Sequence, residues 1–215
     1  FNFQDEEKVV AVLPSEPESG AVLDTSFMIP PERDNDQGEK GQLTFFPEIS
    51  EDLATDVRLG QEPPPPLCLV VTRQGMGFCF ERSSLKDPSA RAGRTLIRLR
   101  SGDEVVGVRP VERPLLAIAT NRRVLVTPMW QVNVLAGAGR GIRLIKPDPP
   151  AVLDFYTVSS EDSLLIENQK GKEIEVAVQD LPVYNRGAKG VVIRGGISQF
   201  SIKEREEDLG DSDSD

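Results

Sequence analysis

Three basic residues recur at nearly constant spacing along the chain. Arg94, Arg140 and Lys189 each follow two small residues and precede an aliphatic run, and they lie 46 and 49 residues apart. A fold that repeats at this interval would bring them to equivalent positions. Guanidinium and ammonium groups that converge in this way bind phosphate. The spacing therefore predicts an anion-binding surface, against the alternative that these residues only keep a β-rich surface soluble.

Six further basic residues join the predicted surface: Arg91, Arg98, Arg100, Arg143, Arg186 and Arg194. Arg98 and Arg100 alternate with apolar residues, so we expect both to point to one side of a strand. Arg143 and Arg194 lie in comparable predicted strands. The basic residues at predicted hairpin tips are interpreted as solubilising instead, and these are Arg73, Arg122, Arg123, Lys170 and Lys172.

Charge divides sharply along the 215 residues. The net charge of −10 argues, taken alone, against a phosphate-bearing partner. However, residues 67–202 carry 19 basic and 13 acidic side chains, whereas residues 1–66 carry 4 and 15, and residues 203–215 carry 2 and 7. A basic body therefore lies between two acidic flanks, and this division is more informative than the total.

The composition excludes several kinds of site. The absence of His excludes a His-based catalytic triad and most zinc sites, and two Cys cannot form a disulfide scaffold. Cys68 and Cys79 are predicted to be free thiols in strands, with a disulfide between them as a minor alternative. No glycine-rich nucleotide loop is present. No run of 18 apolar residues occurs, so no membrane partner is expected.

Internal repeats explain how the basic residues are positioned. Thr72, Thr120 and Asn168 each end an apolar run and lie 48 residues apart. Gly75 and Gly171 follow at the same offset and can supply the positive φ of a tight hairpin turn, whereas Arg123 cannot, so the middle turn must differ. Runs at 104–108, 151–155 and 197–202 are interpreted as closing strands. Units of about 45 residues with four short strands predict an all-β fold of propeller-like blades.

The repeats divide the chain into predicted segments. The blades are assigned to 67–111, 112–158 and 159–202, with the end of a preceding blade at 1–13, an acidic, Pro-rich insertion or linker at 14–66, and a disordered acidic tail at 203–215. Apolar clusters at 27–29 and 43–46 are expected to dock on the body. Because the chain begins without Met and inside a repeat, we expect it to be part of a longer protein.

The motifs within the repeats carry a family resemblance. The hairpins, together with Thr-Pro-Met at 127–129, Gly-Arg-Gly-Ile-Arg at 139–143 and Ser-Gly-Asp-Glu-Val-Val-Gly-Val at 101–108, resemble the C-terminal domain of the bacterial gyrase A protein. The equivalent domain of topoisomerase IV is similar. The resemblance implies a β-pinwheel, a propeller variant whose basic rim binds and bends double-stranded DNA for ATP-dependent strand passage. The alternative is a protein-interaction β-propeller that uses its acidic segments for recognition.

The resemblance also sets expectations for the surroundings of this chain. It implies a parent type IIA topoisomerase of two A-type and two B-type subunits, located in the cytoplasm with the nucleoid, which uses ATP and Mg²⁺ elsewhere. No cofactor and no catalytic residue are expected in this chain, and Tyr156 and Tyr184 are predicted to be structural. The acidic tail is similar to family tails that restrain DNA wrapping, with solubility as an equal alternative.

One loop invites comparison with the gyrase box, which has the form Gln-basic-Arg-Gly-Gly-basic-Gly. Residues 184–190 keep Arg186, Gly187, Lys189 and Gly190 of that pattern but depart from it at the three other positions. We interpret this loop as the ordinary loop of the last repeat.

Overall fold

The computed structural model describes residues 26–28, 42–43, 66–85, 95–146 and 151–203. In these residues the chain forms strands and short 3-10 turns, so the all-β prediction is confirmed. The turns are Ser26–Met28, Arg82–Leu85, Met129–Gln131 and Val178–Asp180. The strands are β1 Gln42–Leu43, β2 Leu67–Thr72, β3 Met76–Glu81, β4 Val105–Pro110, β5 Leu115–Thr120, β6 Arg123–Pro128, β7 Ile142–Arg143, β8 Val152–Val158, β9 Ser163–Glu167, β10 Glu173–Ala177, β11 Val183–Tyr184, β12 Val191–Val192 and β13 Gln199–Lys203.

The recurring short polar residues close the hairpins from within. Thr72, Thr120 and Asn168 are buried at the ends of the first hairpin strands. The Thr72 hydroxyl accepts a hydrogen bond at 3.2 Å from the backbone N–H four residues later, and the Thr120 hydroxyl accepts one at 3.1 Å from three residues later. The Asn168 side-chain oxygen Oδ1 accepts two, at 2.9 and 3.0 Å. A short oxygen-bearing side chain is needed here because only it reaches back to the turn.

The first and third hairpin turns contain a glycine with positive φ, and the middle turn is built differently. Gly75 and Gly171 both have φ 76°, as predicted. The prediction that the middle turn differs is also confirmed, because β5 ends at Thr120 and β6 already begins at Arg123. Arg123 is therefore a strand residue, and it corresponds to Met76 rather than to Gly75. In the two sheets Met76 pairs with Arg143, and Arg123 pairs with Val192.

Each sheet is built around one hairpin and one closing strand. The antiparallel orders are β4-β2-β3, β8-β5-β6 and β13-β9-β10. The closing strands β4, β8 and β13 lie where the sequence analysis expected them. Both faces of β2 and β5 are covered, which fits their continuous apolar sequences.

Each later repeat adds short strands to the sheet of the repeat before it, and we call this one-way donation the strand exchange. β7 pairs antiparallel with β3 at Ile142 and Gly77, although β7 belongs to the following repeat. β12 pairs in the same way with β6 at Val191 and Val124. Farther along β6, β11 pairs in parallel, and an isolated bridge between Cys79 and Val134 is its counterpart on β3. Each of the first two sheets is thus completed by the next repeat, whereas the third sheet has three strands within the described residues.

Residues of the acidic N-terminal region contact this body. Phe27 and Met28 are half-buried against the core cluster that contains Met129 and Val132. β1 pairs antiparallel with β11, with Leu43 opposite Val183. The predicted docking of the two apolar clusters is therefore confirmed for the described residues.

The two cysteines are free and buried, as predicted. Cys68 lies in β2 and Cys79 in β3. Burial raises the pKa of both thiols, that of Cys79 to about 12. No helix among the described residues is long and apolar enough to cross a bilayer.

Candidate nucleic-acid interface

Two glycines hold equivalent basic loops against the preceding sheet. Gly141 and Gly190 have φ values of 68° and 72°. A Cβ on Gly141 would lie 2.3 Å from the carbonyl oxygen of Gly77, and one on Gly190 would lie 2.3 Å from that of Val124. Only glycine fits such a close approach with positive φ. The residues just before these glycines, Arg140 and Lys189, are therefore held at matching positions.

A backbone hydrogen bond then brings a second cation to each loop. The N–H of Arg98 donates to the carbonyl oxygen of Gly139 at 2.8 Å, so Arg98 lies beside the loop of Arg140. One repeat later the N–H of Lys146 donates to the carbonyl oxygen of Ala188 at 3.1 Å, beside the loop of Lys189. We call Arg98 with Arg140 the first junction pair, and Lys146 with Lys189 the second junction pair. All four side chains are exposed.

The junction pairs differ from the cations that stabilise the fold. Among the described residues, the junction pairs have no carboxylate within ion-pair distance, and the same holds for Arg100, Arg143, Arg186 and Arg194. By contrast, ion pairs within the described residues join Arg73 to Glu104 at 2.5 Å, Arg109 to Asp154 at 2.6 Å, Arg113 to Asp162, and Lys203 to Glu175 at 3.0 Å. The charge of the junction pairs is therefore available to an external anion.

The structure places the predicted basic residues in different parts of the fold. Arg140 and Lys189 are equivalent, as the repeat spacing required, and Arg186 is exposed in the same loop as Lys189. Arg143 is exposed in β7. Arg91 and Arg94 lie outside the described residues, and so do residues 1–13 and the tail beyond Lys203.

Two details of the sequence analysis are wrong. Arg98 and Arg100 do not lie in a regular strand, because this segment makes only an isolated bridge between Ile97 and Gly139. Arg194 also lies outside a strand, since β12 ends at Val192 and the chain turns at Gly195, where φ is 91°.

The turn at Arg194 lies among hairpin tips. The N–H of Ile193 donates to the Arg122 carbonyl oxygen at 2.9 Å, and the N–H of Gln169 donates to the Gly195 carbonyl oxygen at 3.3 Å. Arg194 is therefore grouped with the tips and not with the junction pairs.

Lys146 was missed by the sequence analysis. It occupies the place of Arg98 one repeat later, and the two residues lie 48 positions apart. This is the same interval that relates Thr72 to Thr120, so extending the repeat alignment through residues 95–146 would have identified it.

The loop at 184–190 corresponds to residues 135–141 of the preceding repeat, because Gly190 and Gly141 make the same contact. This agrees with its interpretation as an ordinary repeat loop. Trp130 is half-buried beside this loop and lines a shallow, open depression with Gln131, Asn185 and Arg186.

Neither tyrosine has the surroundings of a nucleophile. The Tyr156 hydroxyl donates to Asp154 at 3.2 Å, and the Arg109 guanidinium lies 4.1 Å from the ring centre. Burial and the nearby Asp154 carboxylate raise the pKa of Tyr156. Tyr184 packs against the core. In the part of the chain that the structure describes, no three His, Cys, Asp or Glu side chains lie together as metal ligands would.

Comparisons with known proteins identify the family. Residues 67–112 and 170–208 match the family described as DNA gyrase C-terminal domain, beta-propeller. The gyrase A protein of Staphylococcus aureus (strain NCTC 8325 / PS 47) is 31% identical over 176 residues, which cover 76% of this chain and 19% of that protein. The chain belongs to the gyrase A C-terminal domain family. It spans about a fifth of the length of the curated relatives that it matches.

Solved structures of this family share the fold. The C-terminal domain of DNA topoisomerase IV superposes with a TM-score of 0.58 at 20% identity, over 68% of this chain and 49% of that one. The DNA gyrase A C-terminal domain gives a TM-score of 0.56 at 20% identity, over 66% of this chain and 52% of that one. The β-pinwheel prediction is confirmed, and the exchange of strands between successive repeats is how this chain forms it.

Proposed function

We propose that this gyrase A-type domain binds duplex DNA along the rim formed by its two junction pairs and bends the duplex along that rim. The observation that carries the proposal is the recurrence of two exposed, uncompensated cations at each blade junction, held by the same backbone hydrogen bond. Phosphates recur at regular intervals along a duplex, so equivalent cations on successive blades suit a continuous phosphate backbone.

The contacts are to the backbone of the duplex and not to its bases. The cations lie on loops, and the described residues contain no α-helix that could enter the major groove. A duplex that touches both junction pairs must follow the rim, and bending it costs about 1–6 kcal/mol, which the phosphate contacts offset. Sequence preference is therefore weak and follows the deformability of the duplex.

We extend the proposal to a larger setting, and the similarity to gyrase A proteins supports it. This domain positions duplex DNA for ATP-dependent strand passage by a type IIA topoisomerase of two A-type and two B-type subunits. Mg²⁺ and ATP act in other parts of that enzyme.

A salt series tests the proposal. A fluorescent duplex of about three to four helical turns is titrated with the protein at several salt concentrations, and a second duplex of unrelated sequence serves as control. The logarithm of the association constant should fall linearly with the logarithm of salt, by roughly 0.9 for each phosphate contacted, and equally for both duplexes. Absence of binding at low salt would contradict the proposal and favour the protein-interaction alternative.

A further inference from the structure

The second blade junction contains a side-chain clamp formed by Gln131. The Nε2 atom of Gln131 donates to the Asn185 side-chain oxygen at 2.8 Å, and its Oε1 atom accepts from the backbone N–H of Arg186 at 2.8 Å. A single amide group thus uses both its donor and its acceptor on the same loop.

The clamped loop is also fixed on its other side. The N–H of Gly187 donates to the Leu144 carbonyl oxygen at 2.6 Å, and the Ala188 carbonyl oxygen accepts the bond from Lys146. Arg186 therefore projects from a backbone that the preceding repeat holds through Gln131, Leu144 and Lys146. Its side chain is exposed, beside Trp130 at the shallow depression.

The first junction offers no equivalent arrangement in its described residues. Asn185 and Arg186 correspond to Ala136 and Gly137, which lie 49 positions earlier. Neither has a polar side chain that an amide could hold or a charge that it could present. Among the described residues, the clamp and the third cation, Arg186, thus occur at the second junction and not at the first.

We propose that Gln131 is a positioning residue that presents Arg186 to a DNA phosphate. The inference rests on the proposed function. Because the loop is ordered before binding, Arg186 loses less conformational freedom when it contacts the phosphate than a residue on a free loop would. Gln131 itself does not contact DNA in this arrangement and acts through Arg186.

The test compares the same substitution in two genetic backgrounds. Gln131→Met keeps the length of the side chain and removes both hydrogen bonds, and Gln179→Met is the matched control on the exposed surface of the next 3-10 turn. We expect Gln131→Met to weaken binding of a duplex about fivefold, the effect of roughly one hydrogen bond, and Gln179→Met to leave it unchanged. In protein that already carries R186A and K189A, Gln131→Met should have no further effect.

Two outcomes would overturn the inference. One is wild-type affinity in Gln131→Met, and the other is an equal loss in both backgrounds, which would mean that Gln131 acts on stability and not through the loop cations. Asn185→Ala removes only one of the two bonds and serves if Gln131→Met does not fold, with an expected loss of about twofold. If the wild-type protein binds no duplex, the proposed function fails and this inference fails with it, whereas loss of the Gln131 effect alone leaves the proposed function standing.

Discussion

The backbone N–H of Lys146 donates to the carbonyl oxygen of Ala188 at 3.1 Å, and this bond places Lys146 beside the loop that carries Lys189. The two lysines belong to successive repeats, so the strand exchange that builds the fold also brings the cations together. Both lysines are exposed and have no carboxylate partner among the described residues, so a phosphate at this junction can attract both. The pairing between successive repeats therefore also positions the candidate site.

Gly190→Ala should destabilise the second junction. The new Cβ would lie 2.3 Å from the Val124 carbonyl oxygen at a φ of 72°, so the loop must move or strain. We expect the free energy of unfolding in urea to fall by about 3 kcal/mol. Gly137→Ala is the matched control, because a Cβ there meets nothing within 4 Å. Equal stability of the two variants would contradict the close approach.

The ion pair of Arg113 and Asp162 predicts a pH dependence of stability. The Asp162 side chain is fully buried. Burial alone would raise its pKa, but the Arg113 guanidinium and the Ser159 N–H lower the pKa below the ordinary value of 3.8. A lowered pKa in the folded state means that the stabilisation is complete above the ordinary value and is lost as the pH falls through the lowered one.

Asp162→Asn tests this dependence. The variant should be less stable than wild type by about 2 kcal/mol at pH 7, and the difference should shrink as the pH falls below about 4. Urea unfolding at several pH values measures it. Glu175→Gln, in the exposed pair with Lys203, should change stability little at any pH. A deficit in Asp162→Asn that stays constant from pH 7 to pH 3 would refute the assignment.

The buried thiols should resist modification. With a pKa of about 12, Cys79 carries a thiolate fraction on the order of 10⁻⁴ at pH 8, and both thiols are shielded from solvent. A chromogenic disulfide reagent should therefore react slowly with the native protein and should detect two thiols in urea. Rapid reaction of the native protein would mean that the first sheet opens readily.

Much of the fold could be read from the sequence because hairpin chemistry is local. Thr72, Thr120 and Asn168 bond to backbone within four residues, so their spacing marks the repeats directly. The strand exchange could not be read in this way, because β7 and β12 are two residues long and pair with strands of another repeat. Their pairing depends on the fit of Gly141 and Gly190 against a neighbouring sheet, which no local pattern shows.

In the candidate site, too, features set by local sequence could be predicted and contacts between repeats could not. The equivalence of Arg140 and Lys189 could be predicted because each follows two small residues at the repeat interval. Repeat alignment assigns Lys146 to the position of Arg98, but it does not show that Lys146 lies beside Lys189, because a hydrogen bond between repeats brings them together. Arg194 was misplaced because the glycines after it turn the chain out of the expected strand.

Charge reversal at the second junction pair tests the central claim most directly. Two double variants change the net charge equally. The junction variant carries Lys146→Glu with Lys189→Glu, and the hairpin variant carries Lys170→Glu with Lys172→Glu. All four lysines are exposed. We predict that the junction variant binds duplex DNA more than tenfold more weakly and loses about two from its salt slope, whereas the hairpin variant stays within about threefold of wild type. Equal losses in the two variants would contradict a DNA-binding rim at the blade junctions.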